Sequence, residues 1–121
     1  MHLSVIIITL NEEKNLSRTL ESLRELKQSK LEIEVLVLDS GSTDRTESIA
    51  KDSGAKFAIQ SWPGYSKQKN YALTITSGDW LLFLDADEEL STELSREIKL
   101  VVSSSDPSKA YALKRKTFYL G

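Results

Sequence analysis

The chain has 121 residues, 40% of them hydrophobic and 28% charged, and a net charge of −2. That describes one ordinary globular domain able to bury roughly two thirds of its unfolded surface, and the charge excludes the basic excess of a dedicated nucleic-acid binder. Cysteine is absent, which excludes disulfides and thiolate metal sites, and no apolar run approaches the length of a membrane span.

The start, Met1-His2-Leu3-Ser4, lacks the basic leader of a signal peptide and leads directly into Val5-Ile6-Ile7-Ile8. The expectation is a cytoplasmic protein whose first strand is β-branched and buried. That strand ends at Thr9-Leu10-Asn11-Glu12, where Asn11 is placed to cap a helix whose first turn carries Glu12 and Glu13. Leu16, Leu20, Leu23 and Leu26 then recur at helical spacing, with charged residues opposite, as in a helix packed on a sheet.

Ile33 to Leu38 reads as a second strand ending on an acid, Asp39, followed by the turn Ser40-Gly41-Ser42-Thr43-Asp44. Asp44 and Glu47 have capping-box spacing, ahead of a short helix with Ile49 and Ala50 inward. Gly54 is its expected stop. Lys56 to Ile59 is a short third strand. Ser61-Trp62-Pro63-Gly64 makes a loop, and a helix over 65–76 is expected to bury Tyr71, Ala72 and Ile75.

Gly78-Asp79 leads into Trp80-Leu81-Leu82-Phe83-Leu84, a fully buried strand, and then Asp85-Ala86-Asp87. Carboxylates cost too much to bury unpaired, so this strand end must open into a crevice where a cation or polar ligand meets the acids. Ser91 or Thr92 then caps a helix that buries Leu94, Ile98 and Val102, 103–107 is a turn, and Ala110 to Phe118 is a last strand. Strand–helix alternation on this rhythm gives an α/β fold, a mostly parallel, Rossmann-like sheet with helices on both faces and right-handed crossovers.

Three strands thus finish in polar residues: Thr9, Asn11 and Glu12, then Asp39, then Asp85 and Asp87. In a parallel sheet those ends share one edge, where open α/β sheets bind ligands. A single strand-end Asp is often only a cap for the next helix; three convergent sets, one of them D-x-D, argue for a site. A calcium loop starting at Asp85 fails, because its sixth and twelfth positions hold Leu90 and Arg96. Neither G-x-G-x-x-G nor G-x-x-x-x-G-K-[ST] is present. Haloacid-dehalogenase-type phosphatases share a strand-end D-x-D, but they place it on the first strand and follow it with a Thr where this chain has Glu89.

Four segments carry a family resemblance: Val5 to Leu16 with Thr9-Leu10-Asn11-Glu12-Glu13; Val37-Leu38-Asp39-Ser40-Gly41-Ser42-Thr43-Asp44; Lys69-Asn70-Tyr71-Ala72-Leu73; and Leu84-Asp85-Ala86-Asp87-Glu88. In order and spacing, over nearly the whole chain, they resemble family 2 glycosyltransferases. Gln68-Lys69-Asn70 and the D-x-D segment resemble the subgroup that builds lipopolysaccharide-core and related glycans. The resemblance implies the nucleotide-sugar-binding (donor) half of a GT-A fold. Thr9, Asn11 and Glu12 would line the nucleoside pocket, Asp39 would meet the base (uracil of a UDP-linked donor), and Lys69 would sit near the diphosphate. Asp85 would reach the ribose or donor sugar, and Asp87, with Asp85, would coordinate Mg²⁺ or Mn²⁺. Mg²⁺ is commonly held by one or two carboxylates plus substrate phosphates, which is what a D-x-D offers. Lys67 and Lys69 have the alternative of simply facing water, and Trp62 and Tyr65 of loop packing rather than stacking on a base or sugar.

An inverting transferase needs a general base for the acceptor hydroxyl. The family places that acid well beyond the D-x-D, in the acceptor half, and Glu88, Glu89 and Glu93 lie too close to match it; His2, ahead of the first strand, suits the surface. The expectation is therefore a single donor domain over 1–121, truncated before the acceptor half. It would act on a glycan or lipid-linked acceptor, peripherally at the inner membrane face, or serve as a non-catalytic nucleotide-sugar-binding module. A truncated sheet edge would favour a homodimer.

Overall fold

The computed structural model describes residues 2–61, 65–104 and 116–119. The elements follow in the order β1 (His2–Thr9), α1 (Leu16–Glu21), α2 (Arg24–Lys27), β2 (Glu32–Asp39), α3 (Thr46–Asp52), β3 (Lys56–Ile59), α4 (Tyr65–Ile75), β4 (Trp80–Asp85), α5 (Thr92–Ser104) and β5 (Lys116–Tyr119). The strands form one sheet in the order β3-β2-β1-β4-β5, and every neighbouring pair is parallel. Trp62-Pro63-Gly64 of the expected loop, residues 105–107 of the expected turn and residues 110–115 of the expected last strand lie outside the described residues; Ser103 and Ser104, expected in that turn, instead extend α5.

Period-two alternation sorts the strand side chains onto two faces. Leu3, Val5 and Ile7 of β1, with Val35, Val37, Leu82 and Leu84, pack against α1, α2, α3 and α5. Ile6, Leu36, Leu38, Leu81 and Phe83 pack against Ala72 and Tyr71 of α4. Helices therefore cover both faces, as the alternation of elements predicts.

The leucine ladder is split between two short helices, α1 and α2, yet Leu16, Leu20, Leu23 and Leu26 are all buried. Each such leucine contributes about 1.5–3 kcal/mol relative to an exposed one. α3 ends as expected near Gly54, whose φ of +86° suits a residue without a Cβ. In α5 the hydroxyl of Ser91, not Thr92, accepts the Leu94 amide at 3.0 Å, and Ile98 and Val102 are buried.

Three local expectations are corrected. Asn11 does not cap α1, which begins after Asn15; it stands in the left-handed region at φ +53°. Asp44 and Glu47 form no capping box, since Glu47 pairs with Lys51 along the helix and Asp44 accepts the Thr46 amide at 2.9 Å. Ile75 is 37% exposed. The buried stripe of α4 runs instead through Gln68, Ala72 and, just past its end, Thr76. Two of those three are polar, so hydropathy alone selects the wrong face.

The amino-terminal edge of the sheet is braced by Glu34. Its carboxylate accepts the Ser4 hydroxyl at 3.1 Å, the Lys56 ammonium at 3.0 Å and the Ser77 amide at 3.3 Å. Burial pushes its pKa up, but these donors outweigh that and leave it below the usual glutamate value. Ser4 in turn accepts the Gly78 amide at 2.8 Å, which fixes where β4 enters the sheet.

Candidate functional site

The carboxyl edge is where the polar strand ends meet. β1 is central, with β2 on one side and β4 on the other. The segment after β1 crosses toward β2, while β4 is reached from α4 on the opposite face, so the chain diverges between the ends of β1 and β4. Such a divergence leaves a crevice in an open parallel sheet.

One wall of that crevice is a pair of interlocked loops. Thr9 and Asp39 are register partners at the ends of β1 and β2, and the Thr9 hydroxyl donates to Asp39 Oδ1 at 2.6 Å. The Ser42 hydroxyl donates to the same oxygen at 2.6 Å, and the Gly41 and Ser42 amides donate to Oδ2 at 2.9 and 2.7 Å. Asp39 is 1% exposed. Burial alone would raise its pKa, but the donors of Ser42, Thr9 and Gly41 stabilise the anion and hold it below the ordinary aspartate value.

The same loops are stitched further out. The Asn11 amide donates to Ser42 Oγ at 2.7 Å, and Asn11 Oδ1 accepts the Thr43 amide at 2.9 Å. The Glu12 amide donates to Thr46 Oγ1 at 2.9 Å, and the Glu13 amide to Asp44 Oδ2 at 3.2 Å. The left-handed backbone at Asn11 turns both its amide and its side chain toward the loop after β2, and Asn is a residue that tolerates that conformation.

The other wall is the end of β4. Asp85 pairs with Ile8 of β1 and, by alternation with Leu81 and Phe83, stands on the α4 face. The Lys69 ammonium lies over the Phe83 ring on that face, 5.7 Å from its centroid. Asp85 and Asp87 are both exposed. The turn that carries them is closed at both ends: the Asp85 amide donates to Glu88 Oε1 at 2.8 Å, and the Glu88 amide to the Asp85 carbonyl at 3.0 Å. Glu88 is thereby engaged by its own turn. Among the described residues no three carboxylate or imidazole side chains form a metal cage, so a cation at Asp85 and Asp87 would need oxygens from a ligand.

The structure thus gathers Thr9, Asn11, Glu12 and Asp39 into one bonded unit, and places Lys69, Asp85 and Asp87 on the far side of the β1–β4 divergence. His2 sits at the opposite edge, 3.8 Å from Glu32. Trp62 and the side chain of Tyr65 lie outside the described residues. Ser42 and Gln68 belong to segments that carry the family resemblance, but the sequence assigns no site role to them or to Thr46. Gln68 is fully buried beside the site, with its amide 3.4 Å from Ser40 Oγ and its carbonyl oxygen unpartnered among the described residues. A polar residue four positions before the buried Ala72 is the signal that would have found it.

Residues 4–103 match the family model described as glycosyl transferase family 2. The chain belongs to glycosyltransferase family 2. An uncharacterised glycosyltransferase of Rickettsia bellii is 42% identical over 93% of the chain and 37% of its own length. The lipopolysaccharide core biosynthesis glycosyltransferase LpsC of Rhizobium meliloti is 34% identical over 98% of the chain and 44% of its own length. Among solved structures, glucosyl-3-phosphoglycerate synthase of Mycobacterium tuberculosis, in complex with Mn²⁺, UDP and glucosyl-3-phosphoglycerate, superposes with a TM-score of 0.62 at 33% identity. That match covers 72% of this chain and 35% of the synthase. TarS 1-349 of S. aureus superposes with a TM-score of 0.68 at 30% identity, covering 85% of this chain and 32% of TarS. This family 2 chain therefore spans about two fifths of the length of curated relatives it matches. No helix among its described residues is long and apolar enough to cross a membrane.

Proposed function

We propose that this chain is the donor-binding part of a metal-assisted, inverting glycosyltransferase that moves a sugar from a UDP-linked donor to a glycan or lipid-linked acceptor. The observation that carries the reading is the two-walled edge: a rigid, bonded loop pair at Thr9, Asn11 and Asp39 facing two exposed carboxylates across the β1–β4 divergence. The synthase of similar fold is solved with UDP and Mn²⁺, and LpsC is named for lipopolysaccharide core biosynthesis.

In this reading the Asp39 wall receives the nucleoside. A base N–H reaching Asp39 would replace the hydroxyl of Thr9 or Ser42 on Oδ1, so the anion stays satisfied before and after binding. Lys69 lies on the side where the diphosphate would run, and Asp85 meets the ribose or donor sugar. Asp87, with Asp85, would hold Mg²⁺ or Mn²⁺ through hard oxygen ligands, and the cation would offset the charge that grows on the departing diphosphate. We place the base that takes the acceptor proton in an acceptor-binding half of a longer enzyme. Engagement of Glu88 by its own turn supports that placement, and it also favours the second reading, a donor-binding module that does not turn over alone.

The donor class is tested by titrating UDP, CDP, GDP and ADP into the protein in the presence of Mn²⁺. The expected result is a preference for UDP of at least tenfold. Equal affinity for all four would contradict recognition of the base at Asp39.

A further inference from the structure

Resting on the reading that Asp87 holds a divalent cation, we infer that Thr19 is a positioning residue for that carboxylate. Thr19 belongs to α1 and is fully buried. Its hydroxyl lies 2.8 Å from the Ala86 carbonyl and 2.6 Å from the Glu88 carbonyl. Those are the peptide oxygens on either side of Asp87. One hydroxyl proton is thus shared between the two carbonyls that bracket the proposed ligand.

Ser22, one turn further along the same helix face, completes the grip. Its hydroxyl accepts the Leu90 amide at 2.9 Å and donates to the Thr19 carbonyl at 2.6 Å. With the Asp85–Glu88 closure, the backbone from Asp85 to Leu90 is fixed at successive points, while the Asp87 side chain is left exposed. A carboxylate borne on a turn can meet a small cation only if the turn is held. Mg²⁺ demands near-ideal geometry at about 2.0–2.1 Å, and a site misplaced by about 1 Å is too loose to function.

The choice of residue supports the assignment. Thr19 lies on the face that also carries Leu16, Leu20 and Leu23, all buried. A valine would fill the same volume and suit that face better, but it would remove the hydroxyl that the Ala86 and Glu88 carbonyls share. Removing groups that orient metal ligands typically weakens metal affinity about 10–100-fold, so loss of this hydroxyl should be visible in the metal response and not in nucleotide contacts at Asp39.

The test is UDP binding as a function of Mn²⁺ concentration in the 121-residue chain, followed by calorimetry, for wild type, Thr19→Val, Thr19→Ser and Asp87→Asn. Thr19→Val should raise the Mn²⁺ concentration for half-effect about tenfold and leave UDP affinity without metal within about twofold. Thr19→Ser, which keeps the hydroxyl, should restore the wild-type value. If Asp87→Asn abolishes the Mn²⁺ response and Thr19→Val leaves it unchanged, the positioning role of Thr19 is wrong while the metal reading stands. Equal weakening of metal-free and metal-supported binding by Thr19→Val also overturns it. A wild-type chain without a Mn²⁺ response, or one in which Asp87→Asn retains it, overturns both. Should Thr19→Val fail to fold, Ser22→Ala takes its place, and an unchanged half-effect concentration in that variant contradicts the inference.

Discussion

Thr9 Oγ1 donates to Asp39 Oδ1 at 2.6 Å, across two parallel strands that are paired at those two residues. The bond joins the last residue of β1 to the last residue of β2, both buried, so the strand ends and the loops that follow them are held as one body. Thr9→Val keeps the volume and removes the donor. The expected cost is about 1–3 kcal/mol of stability, measured as a lowered urea midpoint with an unchanged slope, together with weaker nucleotide binding. A variant as stable as wild type would mean that the other three donors suffice for Asp39.

The depressed carboxylates set a pH dependence. Asp39 and Glu34 both have folded-state pKa values below their ordinary ones of 3.8 and 4.5. Their contribution is therefore fully present above the unfolded values and is lost as pH falls through the folded values. Urea midpoints should hold steady from neutral pH to about pH 5 and fall steeply below about pH 4, with a shallower fall in Glu34→Gln. A midpoint that rises on acidification would contradict the hydrogen-bonding scheme at both residues.

Gly78 meets the chain too closely for any other residue. A Cβ there would stand 2.5 Å from Ser4 Oγ, 2.6 Å from the Ser4 amide nitrogen and 2.8 Å from the Trp80 carbonyl. Two of those atoms are backbone and cannot step aside, so Gly78→Ala should cost about 1–3 kcal/mol or more and shift the entry of β4. Chemical denaturation checks it; a neutral substitution would mean that β4 enters the sheet differently.

The two isoleucines in helices flanking β4 should behave differently. Ile98 is 1% exposed in the core beneath α5, whereas Ile75 on α4 is 37% exposed. Ile98→Ala is expected to cost about 2–5 kcal/mol and Ile75→Ala less than about 1 kcal/mol. Comparable losses would place Ile75 in the core, as hydropathy alone suggests.

Much of the fold was legible because apolar periodicity and strand–helix alternation are written directly in Val5 to Ile8, Val35 to Leu38 and Trp80 to Leu84. The sheet edge was legible for a related reason: acids at the ends of buried strands have nowhere else to go. What escaped is polar and nonlocal. The partners of Asn11 lie thirty-one and thirty-two residues on, those of Thr19 sixty-seven and sixty-nine, and no local propensity encodes such pairings. Local propensity therefore makes Asn11 a cap for the nearest helix, which in fact starts at Leu16, behind Asn15. Gln68 and Thr76 were missed because a buried stripe made partly of polar residues carries a weak hydropathy signal.

The central claim is that the exposed carboxylates at the end of β4, Asp85 and Asp87, hold a cation that helps bind a nucleoside diphosphate. Calorimetric titration of UDP with and without Mn²⁺, on wild type and on Asp87→Asn, tests it most directly. The expected result is binding that Mn²⁺ strengthens at least tenfold in wild type and does not strengthen in Asp87→Asn. Equal UDP affinity with and without Mn²⁺, or an Asp87→Asn variant that responds to the metal as wild type does, would contradict it.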